Sequence, residues 1–204
     1  MSNFNKRFII SLLALPLIYI LLYQPTLFNL LIVITFLFCA YEWIKIFKKK
    51  NFFFLIGFFI LFIFLISLLK IYNSETYNLK FLWLLLITWL TDIGGYIFGK
   101  IFGGPKLNKI SPNKTWAGAF GSIILSQFAF LIFFLDSNYQ YNFFIIFSQF
   151  ILSIIGQGGD LLMSYIKRKN NIKDTSNFIP GHGGFLDRLD GLIWIIIFGN
   201  IFIL

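Results

Sequence analysis

Apolar runs at about residues 8–23, 27–44, 52–69, 80–99, 116–135, 143–163 and 189–204 dominate this chain and leave only short polar connections between them. Several fall below the ~20 residues that cross a bilayer comfortably, so the first two also suit a shallow hairpin. Only 12% of the 204 residues are charged, where an ordinary soluble domain carries roughly 25%. The 29 phenylalanines exceed what so small a globule can hide, because a small domain leaves much of its surface exposed. Lipid must therefore cover many of them. The pattern predicts an all-α, polytopic membrane protein of about seven transmembrane helices. It reads as one membrane domain over residues 1–204, with N-terminal helices to about residue 80 and a polar, site-bearing half from residue 81. The single cysteine, Cys39, sits inside an apolar run, which excludes an intrachain disulfide and reads as a small buried hydrophobe.

The net charge of +9 informs through its placement. With the amino terminus inside, fifteen basic residues fall on one side: Lys6, Arg7, Lys45, Lys48, Lys49, Lys50, Lys100, Lys106, Lys109, Lys114, Lys167, Arg168, Lys169, Lys173 and Arg188. Only Lys70 and Lys80 fall on the other. That asymmetry is the one the positive-inside rule describes, so the expected topology is amino terminus cytoplasmic, carboxyl terminus outside, and no nucleic-acid partner. No small-x-small cleavage site follows the first apolar run, so that run is expected to be retained. Both polar loops, residues 100–115 and 164–188, then lie on the cytoplasmic side and can form one site.

Chemistry concentrates in residues 160–190, which hold four of the eight acidic residues, the only histidine and five of the seventeen basic residues. Asp160, Ser164, Lys167 and Arg168 stand at i, i+4, i+7 and i+8, which places them on one helix face. A span end whose cations snorkel to headgroups explains Lys167 and Arg168 equally well, but a carboxylate at a membrane boundary is costly unless paired or metal-bound. Around His182 the segment PGHGGFLDRLD gathers small and turn-forming residues, a composition that lets backbone N–H groups approach a phosphate. Asp187 and Asp190, at i and i+3 where the last helix begins, suit either capping or a Mg²⁺ ion bound to polyphosphate. Asp92 lies inside an apolar run, where a carboxylate costs ~3 kcal/mol on insertion scales and so demands a partner or a function. Gly95, Gly99 and Gly103 recur at a spacing that predicts close helix packing. In the loop that follows, Lys106, Lys109, Ser111, Asn113 and Lys114 offer donors for phosphate oxygens or for lipid headgroups. A Walker-type motif and a Cys/His metal spacing are both missing from the sequence, which argues against a soft-metal centre.

These residues resemble the phosphatidate cytidylyltransferase (CDP-diacylglycerol synthase) family. Its signature runs S-x-x-K-R, four residues, K-D, then P-x-H-G-G-x-x-D-R-x-D. It is met at Ser164, Lys167, Arg168, Lys173, Asp174, Pro180, His182, Gly183, Gly184, Asp187, Arg188 and Asp190. Gly159-Asp160-Leu161 resembles the family's G-D-L, and residues 92–118 resemble its D-x-x-A-Y-x-x-G and S-P-x-K-T-x-E-G stretch. The chain departs at Met163, Ala117 and Gly95, where an acidic residue, Glu or Gln, and alanine are common in the family.

The resemblance implies transfer of a cytidylyl group from CTP to phosphatidic acid in the inner (cytoplasmic) membrane, giving CDP-diacylglycerol and pyrophosphate. It implies Mg²⁺ held by Asp160 and Asp187, together with a second, monovalent cation such as K⁺. It also implies phosphate contacts from Lys167, Arg168, Lys173, His182 and Arg188, with Asp174 and Asp190 positioning them. Ser164, Ser111, Lys114, Gly183, Gly184 and Asp92 are the expected substrate contacts. Two other readings stay open: a CTP-dependent polyprenol- or phytol-type lipid kinase, and a transporter using Asp92 and Asp160 as a cation path. A homodimer built on a helix face is also left open.

Overall fold

A computed structural model describes residues 24–47, 52–74, 76–108, 110–135, 143–178 and 183–203. The described residues form six α-helices: α1 (Pro25–Ile46), α2 (Phe52–Tyr72), α3 (Tyr77–Phe102), α4 (Trp116–Ser126), α5 (Phe143–Lys169) and α6 (Leu186–Ile203). A 3-10 segment, Gln127–Leu135, continues α4. An isolated antiparallel bridge pairs Lys106 with Thr115.

Helix ends follow local chemistry. Pro25 opens α1, where its missing N–H has no intrahelical partner to lose. Thr115 caps α4 by accepting from Gly118 N at 3.1 Å. Past the end of α5, Asn171 adopts φ +57°, Ile172 N reaches Lys167 O (3.0 Å) and Asn171 N reaches Arg168 O (3.0 Å). This paired closure ends the helix and turns the chain straight after its two signature cations.

The outer surface is apolar: Phe52 (73% exposed), Leu55, Phe59, Phe62, Ile101 and Phe120 all face outward. Inside, Phe28, Ile32, Phe64, Leu84, Ile87, Leu152, Ile195 and Ile196 are buried alongside polar groups that satisfy one another. Thr91 and Ser153 hydroxyls meet at 3.0 Å, and Asn200 Nδ2 donates to Ser67 O at 3.0 Å. An apolar exterior around small-residue crossings and internal polar contacts is how helices associate in lipid, where apolar packing alone gives no preference for protein over solvent. Helices α1, α2, α3 and α5 are each long and apolar enough to cross a membrane. The expected first span, residues 8–23, lies outside the described residues.

Two expectations need correction. The run at 116–135 is not one α-helix, because it tightens to 3-10 geometry after Ser126. Gln149 of α5 stands against that change, its amide oxygen facing Trp83 Nε1 (2.8 Å) and Phe130 N (2.7 Å) and its nitrogen facing Gln127 O (3.1 Å). The buried side chain thus replaces partners that the changed backbone gives up. In the glycine row, Gly95 and Gly99 do pack against α4 at Gly118, whereas Gly103 (φ +59°) terminates α3 with its N–H on Gly99 O at 3.1 Å. The third close contact belongs to Gly94, where a Cβ would stand 2.5 Å from Gly121 O.

Candidate active site

The α3–α4 crossing opens at its polar end into a cavity of about 310 Å³, floored by Gly156 and Gly191 at the α5–α6 crossing. Asp92 reaches it from α3, Ser111, Asn113 and Lys114 from the connecting loop, and Asp160 from α5. That loop is well tied: Leu107 N bonds Lys114 O (2.8 Å), Trp116 N bonds Pro105 O (3.1 Å), and Ser111 N bonds Asn108 Oδ1 (2.8 Å). Its shape carries Lys114 across to α5, where the ammonium pairs with Asp160. Both side chains are about 30% exposed, so the pair faces the cavity rather than the core. Asp92, which lines the same cavity, feels Asp160, Lys114 and Arg188 as its charged neighbours. Lys109 lies outside the described residues.

Antiparallel packing of α5 on α6 sets two polar rungs. Deeper in the bundle, Asp160 meets Asp190 side chain to side chain. Nearer the end, Lys167 Nζ donates to Asp187 Oδ1 at 2.7 Å. Seven residues separate the α5 members and three the α6 members, a mismatch of about 6 Å at 1.5 Å rise per residue that the long lysine side chain spans. Asp187 Oδ2 accepts from Thr175 N (2.8 Å), Thr175 Oγ1 (3.1 Å) and Gly184 N (2.9 Å). Burial alone would push the Asp187 carboxyl up, but the Lys167 ammonium and the Thr175 and Gly184 N–H groups outweigh it and hold the group below the usual carboxylate range.

None of the remaining predicted residues that the structure describes lines the cavity. Arg168, Lys173, Asp174 and Arg188 are exposed, and Arg168 Nη1 touches the Ile172 carbonyl at 3.5 Å. Ser164 is half-buried on the α5 face between Asp160 and Lys167. Gly183 has φ +84°, a left-handed conformation that a side chain would strain. Gly184 is buried, and a Cβ there would fall 1.8 Å from Thr175 Oγ1. His182 and Pro180 lie outside the described residues.

Residues that the motif reading did not single out hold this arrangement. Thr175 is buried against Asp187, and behind it stands Glu42 of α1, fully buried and bonded to Thr175, Ser176, Phe185 and Leu186. The signal was available: Glu42 is a carboxylate inside an apolar run, the same anomaly that marks Asp92.

As a donor set, Asp160 and Asp187 are hard oxygen groups, each facing an ammonium in the structure, which suits a site built to exchange cationic partners. Among the described residues no group of three or more His, Cys, Asp or Glu side chains is arranged to hold a metal ion by itself.

Among the described residues, an all-helical bundle with several helices of membrane-crossing length, carrying a cavity lined by carboxylates and a lysine, defines a membrane-type protein with a charged site. Sequence comparison narrows the class. The chain matches the Cytidylyltransferase family, a family of nucleotidyltransferases, over residues 49–204, and it belongs to that family. It is 35% identical over 201 residues to the phosphatidate cytidylyltransferase of Rickettsia typhi, covering 94% of this chain and 88% of that protein. The Rickettsia bellii phosphatidate cytidylyltransferase is 38% identical over 207 residues, covering 94% and 87% respectively. That of Staphylococcus haemolyticus is 39% identical over 143 residues, covering 68% of this chain and 55% of the relative, so the chain spans about half of that longer protein.

Proposed function

We propose that this chain is a phosphatidate cytidylyltransferase. An oxygen of the phosphatidate phosphate attacks the α-phosphorus of CTP, the bond from that phosphorus to the β-phosphate bridging oxygen breaks, and pyrophosphate leaves. CDP-diacylglycerol stays in the membrane. The observation that carries the reading is the meeting of Asp92, Lys114 and Asp160 at one cavity, next to the α5–α6 rungs, in a chain of this family.

The attacking phosphate is already a competent anionic nucleophile near neutral pH, so no general base is needed. The protein's work is to hold two mutually repelling anions in line and to neutralise them. Lys114 supplies positive charge at the cavity, and Lys167, Arg168, Lys173, His182 and Arg188 supply it to the substrate phosphates. Asp174 and Asp190 orient those cations. Ser111, Ser164, Gly183 and Gly184 complete the phosphate contacts, with Asp92 facing the nucleotide side. Asp160 and Asp187 would hold Mg²⁺, with a monovalent cation such as K⁺ beside it. When bound, the divalent ion neutralises charge on the transferring phosphoryl group. The cavity, about 310 Å³, is at the low end of ligand pockets and suits the reacting phosphates rather than a whole diacyl lipid, whose chains stay in the bilayer. In our reading seven spans set the amino terminus and the active site toward the cytoplasm, where CTP is found, with the enzyme in the cytoplasmic membrane.

The test is transfer of label from α-labelled CTP into phosphatidate-containing micelles by the purified protein. Label should enter the organic phase only with phosphatidate and Mg²⁺ present, with pyrophosphate as co-product, and chelation should abolish it. Release of CDP with no α-label in lipid would replace this reading with a lipid kinase.

A further inference from the structure

Four neutral donors converge on the carboxylate of Glu42, one turn before the end of α1. Oε1 accepts from the Ser176 hydroxyl and from Phe185 N (2.8 Å), and Oε2 accepts from Thr175 Oγ1 (2.7 Å) and Leu186 N (2.7 Å). With two bonds on each oxygen, the acceptor capacity of the group is filled. Phe185 and Leu186 open α6, and the first N–H groups of a helix have no partner within it. At this point α6 has Phe185, which has no side-chain oxygen, where many helices place a capping Ser, Thr, Asp or Asn. A carboxylate from another helix does that work instead, at the end of α6 whose dipole favours negative charge.

The same contacts join the two ends of the signature loop. Thr175 and Ser176 lie six and seven residues beyond the end of α5, and Phe185 and Leu186 lie where the loop enters α6. Thr175 also places its N–H on Asp187 Oδ2, and its one hydroxyl proton is shared between Glu42 Oε2 (2.7 Å) and that oxygen (3.1 Å), leaving Oδ1 to Lys167. Gly184 fits only because it lacks a side chain, since a Cβ would stand 2.7 and 2.9 Å from the Glu42 oxygens. A second grip comes from Phe178, whose ring meets Phe38 (5.4 Å) and Tyr41 (5.6 Å) of α1. Glu42 precedes the family-matched region, which begins at residue 49.

We propose that Glu42 is a positioning residue: acting through Thr175, it closes the signature loop and fixes the orientation of the Asp187 carboxylate. None of the four residues that bond Glu42 lines the cavity, so its loss should lower turnover without weakening capture of CTP. The activity arm of the test rests on the phosphatidate cytidylyltransferase reading, and a second arm does not.

Glu42→Gln preserves shape, but either way its amide is turned, an NH₂ group faces the Phe185 or the Leu186 N–H. In full-length purified protein, amide exchange of peptides spanning residues 175–187 should then quicken by about tenfold or more, as expected when such a contact becomes a donor–donor clash. Peptides of α2 should be unchanged. Turnover should fall by about tenfold or more with KM for CTP within about threefold, as expected when only transition-state positioning is lost. Thr175→Ser should keep wild-type turnover, Thr175→Val should lower turnover as Glu42→Gln does, and the double variant should turn over no more slowly than either alone. Wild-type exchange in Glu42→Gln, or losses that multiply in the double variant, would overturn the proposal. If Glu42→Gln does not accumulate, the Thr175 pair carries the same comparison. A wild-type protein that transfers no label would instead sink the functional reading, leaving the exchange result to judge the clamp by itself.

Discussion

Replacing Lys167 with methionine removes one charge from the outer rung between α5 and α6 while keeping an unbranched side chain. The pair is 2.7 Å apart, with side chains 13% and 5% exposed. Deleting one member of a buried pair costs about 3–5 kcal/mol when the other charge is stranded. Asp187 would not be wholly stranded, because the Thr175 and Gly184 N–H groups still donate to Oδ2. We therefore expect about 2–3 kcal/mol of lost stability. Protonation of Asp187 sets a ceiling: bringing a carboxyl of ordinary pKa near 3.9 to its neutral form at pH 7 costs about 4 kcal/mol. At about 2–4 °C per kcal/mol for a chain of this size, the melting temperature should fall by about 4–12 °C. Thermal unfolding of the purified protein in detergent, repeated across pH, reads the effect. The folded Asp187 carboxyl lies below its ordinary value, so its stabilising contribution is complete above that value and is lost as pH falls through the lower folded one. The gap between wild type and Lys167→Met should hold steady from pH 7 to about 5 and close below about 4. A variant that melts with the wild type at pH 7, or a gap that acid leaves unchanged, would refute the reasoning.

Gly94→Val should force α3 and α4 apart, since even a Cβ would stand 2.5 Å from Gly121 O. It should cost about 1–3 kcal/mol in unfolding experiments, whereas Gly158→Ala, with nothing within 4 Å of its Cβ, should melt near the wild type. Equal melting of the two would contradict the packing account. Gln149→Leu should remove the amide that faces Trp83 Nε1, Phe130 N and Gln127 O, at about 1–3 kcal/mol in all. Unchanged melting together with unchanged Trp83 fluorescence would rule that account out.

The polar end of the molecule was readable where charge interrupts grease. Asp92 and Asp160 stood out because a carboxylate in an apolar run needs a reason, and the i, i+7 spacing of Asp160 and Lys167 put both on the face that meets α6. Which carboxylate each lysine would choose was not readable, because the choice depends on the register of α5 against α6. Lys114 took Asp160, and Lys167 took Asp187. Glu42 obeyed the rule that exposed Asp92 but stood far from any motif, and its partners lie across the whole chain. The break after Ser126 was hidden for a different reason. The segment QFAFLIFFL is uniformly apolar, so no periodicity separates an α-helix from 3-10 geometry, and the residue that stands against the change, Gln149, sits on another helix.

Chain order gives the Glu42 contact a temporal side. Thr175 follows Glu42 by 133 residues, so during synthesis α1 emerges long before any of its acceptor-seeking partners exist. At about 5–20 residues per second, the carboxylate waits roughly 7–27 seconds for them. A charge of that kind costs ~3 kcal/mol at the centre of an inserting helix, less toward its end, which is where Glu42 lies. Its place near the α1 terminus therefore lets the nascent segment hold the charge at the water boundary until α6 arrives. Assembly of the loop therefore waits until translation has delivered α6, and the site cannot exist before then.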